Sequence, residues 1–129
     1  MLKRASHVCF MVKSLDESIP VYEKLFRVKA EKMSFPSGVR TANLTLPGGL
    51  DVELFQPAPD TDGTKWLADN GEGIHHLCID VDDVDAELAL AAKAGAQLVT
   101  PQSRKAGPFA IGFVRAGATG GVLIEYLSR

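Results

Sequence analysis

Four residues of this chain, His7, Glu53, His76 and Glu125, are of types that bind divalent metal ions, and they recur in a pattern. His7-Val8-Cys9-Phe10-Met11-Val12 lies on His76-Leu77-Cys78-Ile79-Asp80-Val81 without a gap. Gly48-Gly49-Leu50-Asp51-Val52-Glu53-Leu54 lies in the same way on Gly120-Gly121-Val122-Leu123-Ile124-Glu125-Tyr126. The glutamates are spaced slightly wider than the histidines, so the second half carries a small insertion. A strand histidine by itself is an ordinary structural residue, and so is a single half-buried glutamate. Recurrence at matching places in two half-chains argues for one duplicated metal site over four accidents. Two imidazoles and two carboxylates leave two positions open on a six-coordinate ion, room for a bidentate oxygen substrate or two waters. Mixed nitrogen and oxygen donors admit cobalt, manganese, nickel, zinc or iron.

To share a site, these side chains must stand on paired strands. Residues 7–12 are short, apolar and bounded by polar residues, as a buried strand is. Alternation points His7, Cys9 and Met11 one way and Val8, Phe10 and Val12 the other. It likewise separates His76, Cys78 and Asp80 from Leu77, Ile79 and Val81, Glu53 from Val52 and Leu54, and Glu125 from Ile124 and Tyr126. By the same rule His75 faces away from His76 and reads as a supporting residue. Cys9 and Cys78 read as small walls of the cavity.

The intervening elements follow from local signals. Ser14-Leu15-Asp16-Glu17 is a capping-box pattern, followed by Leu15, Ile19, Tyr22 and Phe26 at helical spacing. Pro20 predicts a kink in that helix or a later start. Strands are predicted near 28–33, 39–46 and 50–56. The Pro-, Asp- and Gly-rich residues 58–73 form a connector with a short helix near 64–68. In the second half a strand over 75–81 leads to an acidic helix start at Asp82-Asp83-Val84-Asp85, a helix through 86–94 and a stop at Gly95. Strands near 97–100, 109–115 and 121–127 follow. The predicted class is α+β: two paired βαβββ modules, about 1–57 and 74–129, forming a curved mixed sheet around a metal-centred cavity in one domain over 1–129.

Composition excludes several functions. With 14 Lys and Arg against 16 Asp and Glu the net charge is −2, the wrong sign for binding nucleic acid as a main task. No apolar run approaches the ~18 residues of a membrane span, and no signal-like apolar stretch follows the basic start. Two cysteines are too few for a disulfide framework, so a cytoplasmic protein is expected.

At Gly71-Glu72-Gly73-Ile74-His75-His76-Leu77, Val81-Asp82-Asp83-Val84 and Thr119-Gly120-Gly121-Val122-Leu123-Ile124-Glu125 the chain resembles the vicinal oxygen chelate superfamily. That superfamily includes glyoxalase I, methylmalonyl-CoA epimerases, extradiol dioxygenases and bleomycin-type antibiotic-resistance proteins. The epimerases match best, and Thr64-Lys65-Trp66-Leu67 fits their connector helix. In the first half the resemblance rests on His7, Tyr22, Gly38-Val39 and Glu53-Leu54-Phe55-Gln56-Pro57.

The resemblance implies one divalent metal held by His7, Glu53, His76 and Glu125, and a homodimer. It implies a metal-dependent isomerase or epimerase that removes a proton next to a carbonyl, on a methylmalonyl-CoA-like acyl thioester. Glu125 is the expected proton-transfer residue, with Glu53 for the opposite face. Alternatives are a glyoxalase I-type lactoylglutathione lyase acting on a glutathione adduct and a non-catalytic small-molecule-binding or resistance protein. A ring-cleaving dioxygenase is disfavoured, because Glu53 would fill a position that chemistry needs open.

Two departures bear on the substrate. Where some epimerases carry a further glutamate this chain has Thr41, which cannot serve as a base at neutral pH. Their His-Pro-Lys is here Arg115-Ala116-Gly117. Arg104 and Lys105, in what reads as a glycine-rich loop, are expected to meet an anionic substrate tail, and Arg115 a carboxylate. Thr41 and Asn43 would make the cavity wall polar.

Overall fold

The computed structural model describes residues 1–117 and 120–129; Ala118 and Thr119, the latter within one of the family-like stretches, lie outside the described residues. Its elements run β1 (Leu2–Met11), α1 (Leu15–Phe26), β2 (Glu31–Ser34), β3 (Arg40–Thr45), β4 (Asp51–Gln56), α2 (Asp62–Asn70), β5 (Gly73–Val81), α3 (Val84–Lys93), β6 (Gln97–Leu98), β7 (Arg104–Ala106), β8 (Phe109–Gly117) and β9 (Gly120–Ser128). Helices and mixed parallel and antiparallel strands make the fold α+β. The chain divides into two compact units, His7–His75 and Met1–Ser6 with His76–Arg129, so β1 contributes residues to both.

In the His7–His75 unit the strand order is β2-β3-β4-β1, with β1 parallel to β4 and β3 antiparallel to its neighbours. Helix α1 covers one face, packing Leu15 and Ile19 against Val12, Leu44, Val52 and Leu54. The opposite face carries Cys9 and Met11, packed with Phe55 and with Leu67 and Trp66 of α2. Ser14 caps α1 by accepting from the Glu17 N–H at 3.2 Å. The helix begins at Leu15 with Pro20 inside it, so the later start that Pro20 suggested does not occur. Proline costs roughly 3 kcal/mol in a helix interior. A cap of about 1 kcal/mol and the burial of Leu15 and Ile19, each ~1.5–3 kcal/mol, offset it. The Leu15 N–H also donates to Gln56 Oε1 at 2.8 Å, pinning the helix start to the end of β4.

In the second unit the order is β5-β9-β8-β6, with β7 on β8 and β5 parallel to β9. Helix α3, capped by Asp83 accepting from the Ala86 N–H, packs Val84 and Leu88 against Val81 and Val114. It ends before Gly95, whose φ of +96° is left-handed. Cys78, Ile111 and Leu127 pack on the other face with Phe109 and Phe113. Residues 104–109, which read as a loop, form β7 and a tight turn at Gly107, φ +60°. Three residues without apolar alternation carry no strand signal of their own, and pairing with β8 supplies the structure.

At Gly112 on β8 an added Cβ would stand 2.9 Å from Val84 Cγ1 and 3.0 Å from Leu88 Cδ1, so α3 rests on bare backbone there. Gly112→Val is expected to lower stability by about 1–3 kcal/mol through overpacking. Urea unfolding with an unchanged midpoint would show that α3 does not pack this closely.

Candidate metal centre

Both units hold a histidine strand parallel to a glutamate strand, and in the same register. Cys9 stands opposite Glu53 on β1 and β4, and Cys78 stands opposite Glu125 on β5 and β9. Each histidine lies two residues before its cysteine, on the same face of its strand. Histidine, cysteine and glutamate therefore share the face not covered by α1 or α3. The helix-covered faces take Val52 and Leu54 in one unit and Ile79 and Ile124 in the other.

The side chains meet within each unit. His76 Nε2 lies 2.9 Å from Glu125 Oε2, and both side chains are only 9% exposed. His7 Nε2 lies 3.9 Å from Glu53 Oε1, with exposures of 14% and 23%. Two donors bound at ~2.1 Å on adjacent corners of an octahedron stand about 3 Å apart. The His76–Glu125 spacing fits that edge as it stands, and the His7–Glu53 pair needs to close by roughly 1 Å to match it. Within each unit the pair is of a chemical type that binds divalent ions, and the His76–Glu125 pair also has the spacing. The 2.9 Å contact is also a hydrogen-bond distance, so the imidazole and carboxylate hold one another in place.

The remaining candidates separate by face. Asn43 pairs with Glu53 and Thr41 with Phe55, placing both beside Glu53. Thr41 is buried, and Asn43 Oδ1 is buried without a hydrogen-bond partner. Arg104 pairs with Ile111 and Lys105 with Ala110, so the two cations point to opposite faces. The Arg104 guanidinium sits 5.9 Å over the Phe113 ring, which meets His76 edge-on at 5.6 Å. Only Arg104 of this pair belongs to the His76 side. Arg115 donates to the Gly121 carbonyl at 3.3 Å. His75 stands edge-on to Trp66 at 5.1 Å.

Phe113, which links Arg104 to His76, was not singled out from the sequence. Its position two residues before Arg115, on the same face, was the available signal. Burial pushes the Cys78 thiol well above its ordinary range, and the neighbouring Glu125 charge pushes it further.

The family described as the Glyoxalase/Bleomycin resistance protein/Dioxygenase superfamily matches residues 6–113. Comparison with curated proteins finds no match. Among solved structures, a methylmalonyl-CoA epimerase in complex with methylmalonyl-CoA and NH4+ is 28% identical, with a TM-score of 0.81, over 99% of this chain and 95% of that one. Methylmalonyl-CoA epimerase from Mycobacterium tuberculosis is 28% identical, with a TM-score of 0.81, over 98% and 88%. A hypothetical protein from Bacillus halodurans C-125 shares the fold, with a TM-score of 0.84 at 24% identity over 98% and 94%.

Cys9 and Cys78 are both buried, and a thiol whose acidity is suppressed stays protonated at pH 8. Neither is expected to react with a colorimetric disulfide reagent until denaturant is added. Rapid labelling of either thiol in the native protein would contradict this burial.

Proposed function

The chain belongs to the Glyoxalase/Bleomycin resistance protein/Dioxygenase superfamily, and on that footing we propose that it is a divalent-metal-dependent enzyme that moves a proton next to a carbonyl. The observation that carries this reading is the buried His76–Glu125 pair, repeated in the same register by His7 and Glu53. His7, Glu53, His76 and Glu125 are the four ligands of one ion in this reading. When bound, the ion supplies the positive charge that makes a C–H beside a carbonyl acidic.

Glu125 takes the proton, and Glu53 is the carboxylate available to return one on the opposite face. Arg104, held over Phe113, receives an anionic group of the substrate. Thr41 and Asn43 offer the substrate a hydroxyl and an unpartnered amide oxygen. A small acyl thioester bearing a carboxylate suits this set, and one of the similar epimerases is seen with methylmalonyl-CoA.

Thr41 supports a second reading. An epimerase needs a proton donor for each face of the substrate, and a threonine hydroxyl cannot act as a base near neutral pH. If Glu53 serves only as a metal ligand, a single-base reaction remains, the glyoxalase I-type isomerisation of a glutathione hemithioacetal.

In deuterated buffer, the cobalt-loaded protein is expected to incorporate deuterium at the α-carbon of methylmalonyl-CoA. Glu125→Gln should slow that exchange by roughly 10²–10⁴-fold, the usual contribution of a general base, and chelation should abolish it. Isomerisation of the methylglyoxal–glutathione adduct without any exchange would select the second reading. Metal-loaded protein inactive on both substrates would leave a binding protein of the same fold.

A further inference from the structure

The His7–His75 unit carries an open groove of about 540 Å³ that is lined by none of the residues assigned to the reaction. Its volume lies within the ~300–1,000 Å³ of small-molecule sites. The walls are apolar, with Pro57 and Pro59 following β4 and Leu67 and Ala68 on α2. Pro57 and Leu67 are buried, so the floor belongs to the packed unit. A Cβ added at Gly63, in the first turn of α2, would stand 2.5 Å from Pro57 Cβ. The helix is therefore seated directly on that proline. Both prolines fix their own φ angles, and the groove is formed before anything enters it.

Three polar residues border the groove, and their hydrogen bonds show which of them are available. Thr64 Oγ1 is engaged in the α2 cap, accepting from the Thr61 N–H at 2.9 Å and donating to the Thr61 carbonyl at 2.8 Å. Gln56 accepts the Leu15 N–H on Oε1 at 2.8 Å, which settles the orientation of its amide. Its Nε2, a donor of two hydrogens, has no acceptor among the described residues. Lys13 is held through its backbone, whose N–H donates to Glu72 Oε2 at 2.7 Å. Its exposed ammonium forms no ion pair among the described residues. No acidic residue among those described lines the groove. A cation without a counterion and an amide donor, both beside apolar walls, call for two acceptor oxygens on an apolar body. One ammonium matches one negative charge, so a monoanion fits better than a phosphate dianion. We propose that this groove binds small amphipathic monocarboxylates, with the carboxylate on Lys13 and Gln56 and the apolar body along Pro57, Leu67 and Ala68. The site is independent of the metal-dependent reaction proposed above.

Octanoate is a suitable probe, followed by amide proton–nitrogen correlation spectra of the whole protein. It should give saturable shifts, largest at the Leu67 and Ala68 amides and at the Gln56 side-chain amide. Lys13→Ala should weaken octanoate binding by about 2–5-fold, the share of one exposed ion pair, and leave octanol binding unchanged. Ala68→Glu, at an exposed helix position, puts a like charge in the groove and should weaken octanoate by roughly tenfold or more. Shifts that do not saturate overturn the proposal. Saturable shifts centred on His7 and Glu53 also overturn it, because the carboxylate would then sit at the candidate metal ligands. So does a Lys13→Ala protein that binds octanoate as tightly as the native one.

Discussion

Each histidine–glutamate pair depends on the register of a parallel strand pair. In each, a cysteine two residues beyond a histidine is hydrogen-bond neighbour to a glutamate strand at the glutamate itself. A slip of one residue would turn the carboxylate to the helix-covered face, where Leu54 or Ile124 now packs. The apolar side chains on that face resist the slip, because a buried unpaired carboxylate would replace them at a cost of several kcal/mol. Core packing and placement of the carboxylate are thus one constraint seen from two sides.

Each helix serves the site by occupying the other face. Helix α1 is tied to β4 by the Leu15 N–H on Gln56, and α3 sits against the bare backbone of Gly112. Both helices begin at side-chain caps, Ser14 and Asp83, placed just beyond the histidine strands. The direction in which the chain leaves the strand is therefore set within a few residues of the histidine. Pro20 is tolerated because it lies one turn past that point, where packing of Leu15 and Ile19 already holds the helix.

The two units are alike in their strands and unlike in their surroundings. His76 and Glu125 are in contact and nearly closed to solvent, whereas His7 and Glu53 are farther apart and more exposed. Beside the first pair stand Phe113, Arg104 and the Ser6–Arg129 bond; beside the second stand Thr41 and Asn43. The histidine and glutamate recur in both units, and the residues that flank them do not.

Much of this was legible in the chain itself. The repeat of His7 and Glu53 in His76 and Glu125, the capping residues and the alternation of faces are all local patterns, and strand and helix periodicities act over a few residues. The sequence also carried Asn43 and Thr41 onto the glutamate face. What it could not carry was pairing: β7 exists because β8 lies beside it, and Arg104 and Lys105, adjacent in sequence, part company only once that ladder forms. The contacts of Arg104 with Phe113 and of Ser6 with Arg129 join residues 9 and 123 positions apart. Such contacts have no local signature, because the free energy that selects them comes from burying surfaces that meet only after the strands have paired.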